Sequence, residues 1–382
     1  MTEKLYYIDA YIHSFSATVL SVEPENDNYV VILDKTAFFP NEGGQAADSG
    51  KIADATVLDV TERDGTVLHK TDKPLAVGDT VFCKINFAER YEKMKCHTAE
   101  HILCGIMHRL YGAENIGFHL GEDVVTFDVS PVLTREQLDR VEDIANRIVA
   151  ENVPVTTLFP TPTELSTLEY RAKLDITDGV RIVNIGEYDS CACCAPHVAR
   201  TGEIGLIKML DFCKHRGGTR IYMVAGERAL LDYRARYTAS QKISALTSTP
   251  QTDIIDAVVA LQTEREELKA QVKERGLAIV RILADSIPAT VGNAVRFFDG
   301  LTMDELREFV NITVPKVQGI VVALVGGDGD YKYIIGSATV DLRAAAKEIN
   351  AALNGRGGGK PNCQQGTLTA TKEQIEDFFA NN

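Results

Sequence analysis

Two histidines four residues apart, His97 and His101, lie in the stretch Lys95-Cys96-His97-Thr98-Ala99-Glu100-His101-Ile102-Leu103-Cys104, which contains neither proline nor glycine. Met94, Ile102, Leu103 and Ile106 recur around them at helical spacing. On a helix, residues four apart stand one above the other. The stretch therefore predicts a helix, from about Ala88 to Tyr111, that offers two imidazoles to one metal ion. Two ligands do not hold zinc. A chain built on this helix must bring the others from elsewhere.

A second block can supply them. Val180 to Ile185 reads as a strand that leads into Tyr188-Asp189-Ser190-Cys191-Ala192-Cys193-Cys194-Ala195-Pro196-His197. Cys193 and His197 stand at metal-ligand spacing, and with His97 and His101 they make three nitrogens and one sulfur, a set suited to zinc. The identity of the sulfur stays open, because Cys191 and Cys194 are close by, and Cys96 and Cys104 flank the histidines. His97-Thr98-Ala99-Glu100-His101 also spells His-x-x-Glu-His, the inverted zinc-protease motif with Glu100 as general base. Those enzymes take a distant carboxylate as third ligand, whereas this chain offers Cys193 and His197. A zinc peptidase is the weaker reading, with Glu100 otherwise a solvated helix residue.

The rest of the chain divides by pattern into an α+β protein of several parts. Residues 1–90 look all-β: β-branched runs at Val19 to Val22, Tyr29 to Leu33, Thr56 to Val60, Val67 to His69 and Val81 to Ile85 suggest a small barrel or sandwich. Between them, Thr36-Ala37-Phe38-Phe39-Pro40-Asn41-Glu42-Gly43-Gly44-Gln45 holds paired glycines that permit close backbone approach; a plain glycine turn is the alternative. Residues 91–225 mix helices and strands, with Thr134-Arg135-Glu136-Gln137 opening a second helix by a capping box. Residues 226–285 read as a helical hairpin or coiled-coil spacer broken near Pro250, with an apolar seam of Ile255, Val258, Val259, Leu261, Leu268, Val272, Ile279 and Leu283. That seam suggests a homodimer. Residues 286–382 form a separate α/β pattern containing a mobile glycine loop, Gly355-Arg356-Gly357-Gly358-Gly359-Lys360-Pro361, which lacks the order of a P-loop.

Composition narrows the setting. Of 382 residues, 45% are hydrophobic and 25% charged, ordinary for a globular protein. The longest apolar run, Ile320 to Val325, has the length of a strand and not of a membrane span. Met1-Thr2-Glu3-Lys4-Leu5 lacks the start of a signal peptide, so a cytoplasmic location is expected. Eight cysteines, several of them beside histidines and with no secretory signal, favour free thiols or metal ligands over disulfides. The net charge of −14 argues against nonspecific coating of nucleic acid. It leaves room for a local basic patch at Lys208, Lys214, Arg216 and Arg220.

Taken together, His97-x-x-x-His101, Cys193-x-x-x-His197 followed by Thr201-Gly202-Glu203-Ile204-Gly205, and Phe38-Phe39-Pro40-Asn41-Glu42-Gly43-Gly44-Gln45 resemble the editing domain of alanyl-tRNA synthetases. They resemble most the free-standing editing proteins of the AlaX type. The segment around Gly355 to Pro361 resembles the synthetases' C-terminal domain, so the likeness is to the long form and spans nearly the whole chain. One departure is Cys194-Ala195-Pro196, where the family often has Gly-Gly-Thr. The resemblance implies a zinc editing domain at 91–225, one zinc ion on His97, His101, Cys193 and His197, and hydrolysis of the ester of serine or glycine on alanine tRNA. It assigns catalysis to His97, His101, Gln45 and Thr36, and the amino-acid pocket to Thr36, Gly43, Gly44 and Gln45, with the glycines admitting the terminal adenosine. Lys214, Arg216, Arg220, Arg356, Gly358, Gly359 and Lys360 would meet tRNA. A noncatalytic tRNA-binding or assembly protein is the alternative.

Overall fold

The alternation of apolar and polar residues along the first 85 positions closes into a ring of strands in this computed structural model, which describes residues 1–172 and 179–381. Ser14–Glu25 pairs with Asn28–Leu33, then Thr66–Thr71, Ala55–Arg63, Gly50–Ile52 and Thr80–Ile85, which returns to Ser14–Glu25. Thr80–Ile85 shows the rule plainly: Val81, Cys83 and Ile85 are buried and the residues between them exposed, as the two-residue period of a strand requires. Ala17, Val19, Val31, Leu33, Val57, Val60 and Val67 complete the barrel interior. A one-turn helix at Leu5–Ile8 precedes the barrel, where the sequence suggested only strands.

His69 is the polar exception inside. Its Nδ1–H donates to Val31 O at 3.1 Å, which leaves Nε2 to accept the Thr36 hydroxyl at 2.8 Å. Burial pushes the imidazole down to about 4, so it stays neutral at ordinary pH.

The helix carrying the two histidines runs Phe87–Tyr111 and ends at Gly112, whose left-handed φ of 62° lets its N–H reach the His108 and Met107 carbonyls, a glycine C-cap. From Met94 to Met107 almost every side chain is buried, Cys96 and Cys104 included. A helix buried all round serves as the axis of its unit. Around it lie the helix Arg135–Glu151, opened by the expected Thr134–Gln137 capping box, and two sheets. One sheet is ordered Ile207–His215, Gly218–Ala225, Val125–Val129, Asn115–Leu120; the other Val155–Leu158, Ile182–Ile185, Asp189–Ala192. Together with the barrel these make one compact unit, Met1–Ser240.

The second unit, Gln241–Asn382, holds most of the spacer. Helices Glu227–Thr247 and Ile254–Asp285 flank the break at Pro250, as expected. Ile255, Val258, Val259, Leu261, Leu268, Val272 and Ile279 remain exposed along the long helix. Beyond it a five-stranded sheet is ordered Ala294–Phe298, Val321–Gly327, Asp330–Gly336, Cys363–Leu368, Gly355–Lys360. The last strand corrects an expectation. The glycine run does not form a mobile loop but pairs antiparallel, residue for residue, with Cys363–Leu368 as the sheet edge. Its glycines serve closeness: a Cβ at Gly357 would stand 2.4 Å from Tyr333 Oη, so only a bare backbone fits beside that ring. Among the described residues no helix is long and apolar enough to cross a membrane.

The His69 environment sets a pH response. Between about 6.5 and about 4 the folded barrel binds fewer protons at His69 than the unfolded chain does, so stability falls as pH falls through that window, by on the order of 3 kcal/mol in full. Urea unfolding at pH 7 and pH 4.5 is expected to show this loss in the wild type and a smaller one in His69→Asn.

Candidate metal centre

The buried axis helix presents His97 and His101 to the loop that follows Asp189–Ala192. The four groups His97, His101, Cys193 and His197 offer ligand atoms that all lie within 4.8 Å of one another. Each imidazole is oriented from behind. His97 Nδ1 meets Gln45 Oε1 at 3.0 Å, His101 Nδ1 meets Asp189 Oδ2 at 3.2 Å, and His197 Nδ1 meets Thr98 Oγ1 at 3.0 Å. Thr98 gives its own proton to the Met94 carbonyl at 2.7 Å, so toward His197 it can only accept. All three Nδ1–H groups thus donate outward, and the three Nε2 atoms face inward. This is the arrangement by which outer acceptors aim histidine ligands at a metal.

At the centre sits the Cys193 sulfur, 3.7 Å from His97 Nε2 and 3.4 Å from His197 Nε2. A tetrahedral ion with nitrogen at about 2.0–2.1 Å and sulfur at about 2.3 Å needs N–S edges of about 3.5 Å. The residues present fit such an ion. Burial works against ionisation of the Cys193 thiol, but the imidazoles of His97, His197 and His101 outweigh it and hold its pKa well below the usual thiol range. Burial likewise works against charge on His101, yet Cys191, Asp189 and Cys193 raise its pKa well above the ordinary value. Burial takes His197 down to about 3. The arrangement thus favours the thiolate, the form that binds metal.

The three adjacent cysteines therefore part company. Cys191 is buried and lies with His101 and Asp189, where Asp189 is already claimed by Arg171 at 2.7 and 2.9 Å. Burial raises its thiol pKa. Cys194 turns toward Glu42, and burial first, then Cys193 and Glu42, push its pKa far up. Only Cys193 points its sulfur into the imidazoles.

The glycine motif reaches the same place. Glu42 and Gln45 exchange two backbone hydrogen bonds, 3.2 and 3.0 Å, around Gly43 and Gly44 at φ +63° and +81°. That tight turn needs positive φ at both central positions. Space demands glycine as well: a Cβ at Gly44 would stand 2.6 Å from Phe118 O, and one at Gly43 3.2 Å from Cys194 Sγ. Gln45 is fully buried, with Oε1 on His97 and Nε2 without a partner among the described residues.

Other sequence-derived candidates make no hydrogen bond to these four groups among the described residues. Thr36 is buried in the barrel, its hydroxyl engaged with His69 and with the Phe38 N–H at 3.1 Å; no hydrogen bond joins it to the four ligands. Glu100 is not solvated but 2% exposed, because Asn115 Nδ2 and Cys104 Sγ both bond its carboxylate. Of the basic patch, Lys208 pairs with Glu142 and Arg220 with Asp128. Lys214 and Arg216 lie exposed at the end of a hairpin. Arg356, Gly358, Gly359 and Lys360 are exposed on the edge strand of the second unit.

Several residues that matter here carried no signal in the chain. Arg90, Lys93 and His97 form one stripe of the axis helix. Arg90 is fully buried and bonds Asp48, Ala37 O and Ala10 O; Lys93 bonds Ala47 O at 2.8 Å. Asp48 in turn accepts the Phe39 N–H at 2.7 Å. The helix thus grips the segment 37–48 at both ends, with His97 holding Gln45 between them. Arg181 binds the ligand loop, Nη1 to Cys193 O at 2.9 Å and Ala195 O at 2.8 Å.

Known proteins resemble this chain. A family model described as the threonyl and alanyl tRNA synthetase second additional domain matches residues 180–222, the model of class II (A) tRNA synthetases matches 6–89, and that of the DHHA1 domain matches 289–381. The alanyl-tRNA editing protein AlaX-L of Pyrococcus horikoshii is 27% identical over 99% of this chain and 97% of its own length. The alanyl-tRNA editing protein Aarsd1 of Mus musculus is 25% identical, over 96% and 94%. An alanine–tRNA ligase of Halorubrum lacusprofundi is 31% identical over 96% of this chain but only 42% of the ligase. The resemblance carried by the two ligand blocks and the glycine turn therefore holds from end to end.

Metal content separates the cysteines. Cys193→Ser is expected to purify with almost no bound metal, whereas Cys194→Ser keeps the wild-type amount. Thr98→Val, which removes an acceptor behind His197, is expected to weaken metal affinity about 10- to 100-fold in chelator competition. Elemental analysis showing equal metal in Cys193→Ser and wild type would refute the assignment.

Proposed function

From a chain that resembles alanyl-tRNA editing proteins along its whole length, we propose an aminoacyl-tRNA deacylase that hydrolyses serine or glycine from alanine tRNA in trans. Zinc is the metal this reading puts on His97, His101, Cys193 and His197, in a domain spanning 91–225 between the barrel of 1–90 and the spacer of 226–285. The observation that carries it is the convergence of three outward-anchored imidazoles on the Cys193 thiolate, beside a buried Gln45 amide with an unspent donor. Zinc bound there would supply a Lewis acid for the ester carbonyl and a lowered pKa for a water.

The side chains add orientation and selectivity. Because the Gln45 oxygen is committed to His97, its NH2 group is left to donate to a substrate oxygen, where developing negative charge gains most from a preset donor. Gly43 and Gly44 remain part of the pocket wall in this reading, in the tight turn that carries Gln45 beside Cys194. Thr36 spends its proton on His69 and one lone pair on Phe38; the second lone pair is left for a serine hydroxyl. Alanine offers no such hydroxyl and would leave that group unpaired. Lys214, Arg216, Arg356, Gly358, Gly359 and Lys360 remain the tRNA contacts of this reading, with Arg220 the weakest because Asp128 already holds it. The exposed apolar residues of Ile254–Asp285 support a homodimer through the spacer, with the 286–382 domain beyond it, and the same reading puts the protein in the cytoplasm.

Alanine tRNA charged with serine, glycine or alanine tests the reading directly. Serine and glycine are expected to be released and alanine spared. His101→Ala is expected to abolish release, and Gln45→Leu to lower kcat about 10²–10³-fold. Equal hydrolysis of the three, or none, sinks the proposal.

A further inference from the structure

An aromatic ledge stands beside the ligand loop, and no role described so far uses it. Tyr7, on the one-turn helix Leu5–Ile8, meets Phe159 edge-on, with ring centroids 5.4 Å apart at 67°. Phe159 follows the strand Val155–Leu158 and is 52% exposed. Tyr7 is half-buried and packs, together with Cys193 and Cys194, against Tyr6, Phe39 and Ala195. The ledge is therefore continuous with the thiolate loop and with Cys194, the neighbour of Gly43.

Arg181 adds a polar group to it. Only 6% exposed, it holds Cys193 O and Ala195 O through Nη1, and its guanidinium carbon lies 5.5 Å from the centre of the Tyr7 ring. Its Nε–H is buried and has no partner among the described residues. An unmade buried hydrogen bond costs free energy, so a ligand oxygen placed there would be bound with advantage. An exposed aromatic ring next to such a donor is how proteins hold an unpaired base and its sugar. The exposed ring face suits a base, and the single buried donor beside it suits an oxygen of the attached ribose.

We propose that Phe159, braced edge-on by Tyr7, stacks the base of the 3′-terminal nucleoside of the ester substrate, while the Arg181 Nε–H donates to an oxygen of its ribose. This rests on the deacylase reading, since it is the ester that joins that ribose to the reacting carbonyl. It gives the enzyme a grip on the one nucleoside always attached to its substrate, whatever amino acid is carried.

The test uses the full-length protein with its metal and two seryl-minihelix RNAs, one ending in adenosine and one in an abasic ribose. The wild type is expected to prefer the adenosine-ended ester in kcat/KM by about 5- to 140-fold, the worth of one stacked base. Phe159→Ala and Tyr7→Ala are expected to lose that preference and Tyr7→Phe to keep it, with metal content unchanged in all three. Phe159→Ala, at an exposed position, covers the case in which Tyr7→Ala does not fold. Equal rates on the two RNAs in the wild type, or a preference surviving in both alanine variants, would overturn the proposal. A separate arm uses uncharged minihelix with 2-aminopurine as the last base. Binding is expected to quench its fluorescence in the wild type and not in Phe159→Ala, whether or not any ester is cleaved. A ledge that quenches without any ester cleavage would sustain the subsite and defeat the deacylase reading; cleavage without quenching would do the reverse.

Discussion

Three imidazole N–H groups point away from one another, and the centre exists because they do. A histidine ring has two nitrogens, and what one of them bonds decides what the other can do. Gln45, Asp189 and Thr98 each take an Nδ1–H, so each Nε2 has nowhere to turn but toward Cys193. The thiolate follows from the same geometry. Burial alone would keep a cysteine protonated, and three converging imidazoles reverse that. Take the outer acceptors away and the four candidate ligands become loosely placed polar groups in a core where burial costs them.

Those acceptors come from three different places, and the axis helix holds them together. Gln45 belongs to a turn after the barrel, Asp189 to a strand of a small sheet, and Thr98 to the helix itself. The stripe Arg90, Lys93, His97 binds the first of these along its length, and the Arg90–Asp48 ion pair is buried. An ion pair this deep is no cheap source of stability, but losing one partner strands a charge, which costs about 3–5 kcal/mol. Its consequence is register: the barrel cannot shift against the helix without breaking it. Arg171 does the same for Asp189, holding the carboxylate that His101 needs.

Part of the chain's positive charge is paired at the surface. Lys208 and Arg220, counted by formal charge as part of a basic patch, are paired with Glu142 and Asp128. What stays unpaired near that hairpin is shorter than the sequence suggests: Lys214 and Arg216 at its end. The second unit keeps Arg356 and Lys360 exposed, on an edge strand paired with Cys363–Leu368.

Local order was readable from residue types. The two-residue period of the barrel strands, the helix around His97 and His101, the Thr134 capping box, the break at Pro250 and the two ligand blocks follow from rules that act within a few residues, and the sequence by itself determined them. It also determined that a cysteine of the second block would meet the two histidines, without saying which. That choice belonged to tertiary structure, because Cys191, Cys193 and Cys194 differ only in what surrounds each sulfur: Asp189 and His101, three imidazoles, or Glu42. The same holds for Glu100, whose partner Asn115 is distant enough in the chain to leave no local pattern, and for Thr36, whose hydroxyl is claimed by a histidine on another strand. The glycine run after Asn354 misled for a physical reason, since glycine marks flexible loops and close strand contacts alike, and only the Tyr333 ring beside Gly357 tells them apart. Spacing along the chain specifies which groups can act together; distance across the fold specifies which of them do.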